Sequence, residues 1–404
     1  VAFQFTQQST AIQPNAINLE NQVKKSFRVK SLLFGLCAGF AMQAHALEPD
    51  VLTVTRMAPA DAYRVYIADP NFSSLVDGRM HVIDGQNMRY LGMVSTGFSG
   101  LSALSPDRSE LYVATTYYAR LNHGERTDVV DIHDATTLAR KEEIVIPPRH
   151  AQGTASRTLI QTSFDGSLLY VQNATPATSV TVVDLRNRKV LAEVPTPGCW
   201  AVYPSPTVAS RFSAMCGNGS MLTLTLDEAG QVATRKQSAP FFDPDSDPVF
   251  PMYDRNGDKF VFVSFHGKVY QADLSGEMAS VEPGWSLVGA TDAKAGWRPG
   301  GYQLLATERA AGRLYVAMHD KGEEGSHKNP AKEIWVIDLA SHKRIARMPG
   351  HNAVSMATSR GEKPRLYLLD ATNNDLIAYD LGAKPKLFKR MPAIGNTPIH
   401  LELQ

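Results

Sequence analysis

The chain has 404 residues, with 41 lysines and arginines against 40 aspartates and glutamates, 43% hydrophobic and 20% charged side chains. That balance excludes intrinsic disorder, and its neutrality argues against a nucleic-acid partner, whose phosphates call for a clustered basic excess. No apolar run reaches the ~18–20 residues needed to cross a bilayer as a helix, and no collagen, coiled-coil or disulfide-miniprotein pattern is present.

In chain order, residues 1–22 match no targeting pattern and read as an extension left by a misassigned start, with Val1 first and Val23 an alternative. Residues 23–46 read as a cleaved signal peptide: basic Lys24, Lys25, Arg28 and Lys30, an apolar stretch from Leu32 to Met42, and the small-x-small triplet Ala44-His45-Ala46. The alternative is a short buried helix. Cleavage after Ala46 takes four basic residues and Glu20 away, leaving 37 basic against 39 acidic residues. Cys37 leaves too, so only Cys199 and Cys216 remain. In an exported chain they most simply form one disulfide, with two buried free thiols as the alternative. A metal pair is disfavoured, because no His or Cys lies nearby at ligand spacing.

From Leu47 onward the sequence repeats. An apolar triplet with a central aromatic leads to an alternating run that ends in Asp: Val65-Tyr66-Ile67 to Asp84, Leu111-Tyr112-Val113 to Asp134, and Leu169-Tyr170-Val171 to Asp184. The pattern returns as Phe260-Val261-Phe262 to Asp273, Leu314-Tyr315-Val316 to Asp338, and Leu366-Tyr367-Leu368 to Asp380. A weaker copy, Phe212-Ser213-Ala214-Met215 to Asp227, fills the long gap after the third. Each copy predicts two β-strands. Ser105-Pro106-Asp107, Phe164-Asp165-Gly166 and Asn256-Gly257-Asp258 supply turns ahead of the aromatic strands. Units of roughly 50 residues with about four strands each are the signature of a β-propeller. The expectation is therefore an all-β fold, a seven-bladed β-propeller over residues 47–404 as a single domain, with little helix.

Self-contained chemistry is missing from the sequence. It has no GxSxG elbow, P-loop, GxGxxG or HExxH. Asp254-Arg255-Asn256-Gly257-Asp258 resembles a calcium loop, but Lys259 replaces the loop glycine and Phe265 the bidentate Glu, so it reads as a hairpin turn. Asp243 to Asp247 reads as a solvated loop, His319 and His327 as surface residues flanking a polar loop, and the four tryptophans as packing or interface residues. No catalytic or metal-binding residue is expected in this chain.

Several segments resemble the heavy subunit of the periplasmic quinoprotein amine dehydrogenases. They are Gly124 to Val130, Gly198-Cys199-Trp200 with Cys216-Gly217, Gly296-Trp297-Arg298-Pro299-Gly300-Gly301-Tyr302, Gly325 to Lys328, and Glu333 to Val336. Asn173 to Ser179, Gly198 to Trp200 and Gly322 to Lys328 look more like the kind acting on aromatic or arylalkyl amines than the methylamine kind. The resemblance implies an α2β2 enzyme whose light subunit carries tryptophan tryptophylquinone and the catalytic base. It also implies aldehyde and ammonia as products, and a blue copper protein of azurin or amicyanin type as electron acceptor. This chain would hold no cofactor. Phe98, between Gly97 and Gly100, matches the family's phenylalanine at the mouth of the substrate channel, on a loop made supple by those glycines. The alternatives are the methylamine branch and a non-enzymatic periplasmic binding propeller.

Overall fold

The computed structural model describes residues 55–153 and 156–403; the extension and the signal peptide expected at 1–46 lie outside the described residues. The described chain is all-β. Its strands form antiparallel groups in which most strands pair with a neighbour in sequence. The first group contains β1 (Arg64–Asp69), β2 (Gly78–Asp84) and the opening of β3 (Arg89–Leu104). The end of β3 starts the second group with β4 (Glu110–Arg120), β5 (His123–Asp134) and β6 (Arg140–Ile146). The third holds β7 (Ile160–Thr162), β8 (Leu168–Asn173), β9 (Ser179–Asp184) and β10 (Lys189–Pro195). The fourth holds β11 (Cys199–Pro204), β12 (Arg211–Cys216), β13 (Met221–Leu226) and β14 (Val232–Gln237).

In the fifth, β15 (Asp254–Asn256), β16 (Lys259–Val263) and β17 (Lys268–Asp273) are flanked by short β18 (Ser280–Val281) and β19 (Trp285–Ser286). A single α-helical turn, α1 (Ala290–Lys294), leads to the sixth: β20 (Arg298–Pro299), β21 (Leu305–Glu308), β22 (Arg313–His319), β23 (Ala331–Asp338) and the opening of β24 (Lys343–Thr358). The end of β24 begins the last group, with β25 (Arg365–Asp370), β26 (Leu376–Asp380) and β27 (Lys386–Met391). Finally β28 (His400–Glu402) returns to pair with β1, Ala68 facing His400 and Tyr66 facing Glu402.

The repeated residues explain the repeated shape. Every motif strand lies where the sequence pattern puts it, and Tyr66, Tyr170, Tyr315 and Tyr367 are at most 1% exposed. Burying a side chain of this kind contributes about 1.5–3 kcal/mol, so the aromatic triplets anchor each group against the next. The terminal aspartates stop the strands by capping the turn backbone: Asp134 Oδ1 accepts from Thr136 N and Thr137 N at 2.8 Å, and Asp184 Oδ1 from Arg186 N and Asn187 N at 2.9 and 3.0 Å. Ahead of the aromatic strands, Asp107 accepts from Ser105 Oγ at 2.6 Å and Ser109 N at 3.0 Å, and Asp165 does the same to Ser163 and Ser167 at 2.7 and 3.0 Å. The expected hairpin turn at Asn256-Gly257-Asp258 joins β15 to β16.

These aromatic strands all run from one end of the fold to the other. The turns before them define one end, and the loops after them define the opposite end, where the candidate site lies.

Candidate functional site

At the end where the aromatic strands finish, loops from several groups enclose a hollow of about 340 Å³. Trp200, Phe250, Met252, Tyr302, His327 and Lys328 supply much of its wall. A second hollow of about 250 Å³ shares Phe250, Pro251 and His327 with it and adds Phe265 and Glu324. Most of the wall is aromatic or aliphatic, and the cation is Lys328, whose Nζ sits 5.7 Å from the Tyr302 ring centre.

Backbone geometry fixes the wall. Gly301 has φ +122°, and a Cβ there would lie 2.6 Å from the Val354 carbonyl, so only glycine fits. Its N–H donates to the His327 carbonyl at 3.0 Å, joining the two loops that carry Tyr302 and Lys328. Trp200 is held differently. Cys199 and Cys216 form the expected disulfide, directly opposite each other on β11 and β12 and each 5% exposed. Trp200, the next residue, is 36% exposed. The crosslink thus fixes the base of a ring that faces the hollow.

Phe98 stands at this same end, although it does not line the hollow. The structure corrects its expected setting: it lies within strand β3, not in a loop, opposite Thr116 of β4. Gly97 at φ +59° and Ser99 at φ +51° form a bulge around it, through which β3 passes from the first group to the second. The half-buried Phe98 ring meets Tyr118 edge-on, with centroids 5.5 Å apart and planes at 87°. The glycine therefore turns the strand, and an aromatic neighbour orients the ring.

A buried carboxylate couples Phe98's strand partner to the hollow. Asp128 accepts from Arg126 Nε and Nη2 at 2.7 and 2.6 Å, and from Thr116 Oγ1 at 2.8 Å. It is also bonded to His150, at 2.6 Å from the ring Nδ1 and 3.3 Å from the backbone N–H. Burial would raise this carboxyl, but the bonds from His150, Arg126 and Thr116 outweigh it and hold it well below the usual carboxylate range. Gln152, on the wall of the hollow, donates its amide to Thr116 Oγ1 at 2.6 Å. Arg126 and Asp128 fall in one of the segments quoted for the resemblance, yet their partners His150 and Thr116 could not be matched to them by spacing.

The structure thus brings together Trp200, Tyr302, His327 and Lys328 from separate quoted segments. Phe250, Met252 and Gln152 belong to none of those segments and join the wall through long loops. His319 corrects another expectation: it is 4% exposed at the end of β22, against the backbone of Gly300, and burial lowers its pKa. The Asp243 loop is tied down as well as solvated, since Asp247 accepts from Ser264 Oγ and His266 N at 2.8 Å. Among the described residues no group of three His, Cys, Asp or Glu side chains could hold a metal ion. Chemically, the arrangement offers an aromatic concave surface and one ammonium.

The model of the family described as methylamine dehydrogenase heavy chain (MADH) matches residues 61–401. The methylamine dehydrogenase heavy chain of Methylobacillus flagellatus is 28% identical over 366 residues, 87% of this chain and 90% of that one. Those of Methylorubrum extorquens and Paracoccus versutus are each 30% identical, covering 81% and 84% of this chain and 79% of each relative. Among solved structures, the periplasmic gluconolactonase PpgL of Pseudomonas aeruginosa superimposes with a TM-score of 0.58 at 13% identity, over 84% of this chain and 98% of that one. Dihydro-heme d1 dehydrogenase NirN gives 0.54 at 15%, over 87% of this chain and 78% of that one. At such identities the likeness is one of fold alone.

Proposed function

This chain belongs to the methylamine dehydrogenase heavy-chain family, and from that premise we propose that it is the heavy subunit of a quinone-dependent amine dehydrogenase. The observation that carries the reading is convergence: separate segments resembling that family, distant in sequence, meet on one aromatic hollow at the Phe98 end. The relatives favour methylamine over the aromatic amines as substrate. The second reading, an aromatic or arylalkyl amine, draws on the Phe98–Tyr118 aromatic pair, which offers a flat surface to a ring-bearing substrate.

In this reading the strand groups are the seven blades of one propeller over residues 47–404, closed by β28 on β1, in a periplasmic chain whose signal peptide has been removed. The light subunit sits at the Phe98 end, and two copies of each subunit assemble. Tryptophan tryptophylquinone, carried by the light subunit, supplies the oxidation of amine to aldehyde and ammonia and the delivery of electrons to a blue copper protein. The tryptophans of this chain have other work. Trp335 is fully buried with its Nε1 bonded to Glu333 at 2.8 Å, and Trp297 packs against it at 5.4 Å under the guanidinium of Arg347. Phe98, held by the bulge and by Tyr118, would screen amines by size at the channel mouth. The Trp200 and Tyr302 wall would dock the light subunit by apolar burial, with Lys328 selecting an acidic or carbonyl group opposite it.

The test is the visible spectrum of protein purified with its native partners, recorded before and after anaerobic addition of methylamine or of 2-phenylethylamine. Bleaching by methylamine, with a small subunit co-purifying, is the expected result. Bleaching by 2-phenylethylamine alone moves the substrate to the aromatic branch. A colourless preparation that demonstrably retains its partners would refute the enzyme reading and leave a binding propeller.

A further inference from the structure

At the opposite end of the fold, Arg360, Arg157 and Arg309 act on one buried carboxylate, Asp254, with Arg255 beside them. Asp254 opens β15 and is 5% exposed; it accepts from Arg360 Nη2 at 2.9 Å and from Thr307 N at 2.7 Å. Arg309 donates its Nε to the Arg255 carbonyl at 3.1 Å, and Thr307 Oγ1 donates to that same carbonyl at 2.6 Å. Arg157 reaches in from the hollow's end, donates to the Tyr253 carbonyl, and lies 4.6 Å over the Tyr253 ring.

Charge does not balance here. Arg255 has a weak partner, Asp258, at 3.4 Å and 88% exposed; Arg157 attracts the buried Glu402 carboxyl, and no acidic side chain forms an ion pair with Arg309 among the described residues. In the surrounding cluster, Nε of Arg157 and Nε of Arg255 are buried without a partner among the described residues, although neither side chain lines the adjoining cavity. A guanidinium carries five N–H donors, and an unmatched buried donor costs on the order of 1–3 kcal/mol. Burial and the neighbouring cations Arg360, Arg255 and Arg157 push the Arg309 guanidinium down to about 10, against the pull of Asp254. Arg108 is lowered in the same way, by burial and by Arg360.

Beside these arginines lies a cavity of about 430 Å³, walled by Arg309, Arg360, Ser359 and Gly361. Its carboxylates do not neutralise it: Glu308 is taken up by the Tyr315 hydroxyl at 2.8 Å and by Arg313 at 3.5 Å, and Glu362 stands exposed on the rim. We propose that this cavity is a binding site for a small oxyanion, a phosphate or a carboxylate, held in the fork of Arg309 and Arg360. Planar guanidinium forks match two oxygens of such a group at once, which a halide cannot supply. The site is remote from the Phe98 end, and its test needs no amine turnover.

Titration calorimetry and thermal melting of the full chain, with inorganic phosphate and with citrate against sodium chloride at equal ionic strength, test the site. Saturable binding of phosphate or of citrate is expected, and which of the two binds tells a phosphate source from a carboxylate source. Arg309→Gln should weaken that binding by about tenfold or more, and Arg309→Lys by less. Without the anion Arg309→Gln should melt no lower than the parent, because it relieves repulsion; at saturating anion the order should reverse. Two results overturn the proposal: neither probe shifts melting or releases heat beyond equal-strength chloride, or Arg309→Gln binds as tightly as the parent. Arg360 is left intact in these variants, since its loss would strip Asp254 of its partner.

Discussion

Asp128→Asn is the most searching test of how the site is held. The Asp128 side chain is 0% exposed and receives two bonds from Arg126, with further bonds from Thr116 and His150. An amide in its place keeps one acceptor oxygen and turns two N–H groups towards Arg126 and His150, which donate already. Breaking a buried charged pair by removing one partner costs about 3–5 kcal/mol. With an unfolding entropy of about 2 cal/mol/K per residue over roughly 350 residues, 4 kcal/mol corresponds to a melting shift of about 5 °C. The pH dependence gives a second handle. The folded Asp128 carboxyl titrates below its unfolded value, so its contribution is complete above the ordinary carboxylate range and is lost as pH falls through the folded value. Urea melts at pH 7 and at pH 3 should therefore show a parent–variant gap that is largest at neutrality and narrower at pH 3, since the folded carboxyl titrates lower still. A gap under about 1 kcal/mol at pH 7, or one that widens in acid, would refute this account. A double-mutant cycle with His150→Ala should give coupling of about 1–3 kcal/mol, as expected for side chains sharing a network.

Three further outcomes follow from the same structure. Replacing both Cys199 and Cys216 by Ala, a pair 17 residues apart, should cost about 3 kcal/mol of stability by releasing a loop of that size; reductant should lower the parent's melting point and leave the variant's unchanged. Phe98→Ala should alter the relative kcat/KM for short and aromatic amines while leaving the quinone spectrum intact, and identical selectivity would remove Phe98 from the substrate channel. Glu402 is the opposite case to Asp128. Burial raises its carboxyl from 4.5 to about 7, against the pull of Arg157. The folded chain then holds this proton more tightly than the unfolded chain, so stability falls as pH rises from about 4.5 to about 7 and levels off above. Glu402→Gln should be more stable than the parent by on the order of 3 kcal/mol at pH 8 and equal to it at pH 4, as measured by denaturant melts.

What the sequence made legible was the part of the fold that buries side chains. The aromatic strands and the Asp-terminated strands after them pack on both faces, so their apolar pattern is dense and repeated. The outer strands escaped notice because they face water: β14 reads Val-Ala-Thr-Arg-Lys-Gln and is almost wholly exposed. Short strands such as β15, with three residues, are too short to carry a pattern. Phe98 was picked out, but its glycines suggested a loop where the chain instead bulges and continues as a strand of 16 residues. His319 was expected at the surface because polar residues follow it; the neighbour against it, Gly300, follows β20, which pairs with His319 from a distant stretch of sequence. The hollow was half legible. Trp200, Tyr302 and Lys328 lie in segments the resemblance singled out, whereas Gln152, Phe250 and Met252 sit in loops with no local signal. The arginine cluster could not have been seen at all, since Arg157, Arg309 and Arg360 converge on Asp254 only through the folded strands between them.

The pairing of β28 with β1 constrains how the molecule can be made. Three residue pairs join His400–Glu402 to a strand that begins at Arg64, so the first group is assembled from the two extremes of the described chain. During vectorial synthesis the middle groups can find all their strand partners early, each within its own stretch of sequence. The first group must wait, with one side of β1 uncovered, until β28 emerges. Its exposed edge is then an open template for a foreign strand. A polypeptide lacking residues 400–402 would present that edge permanently.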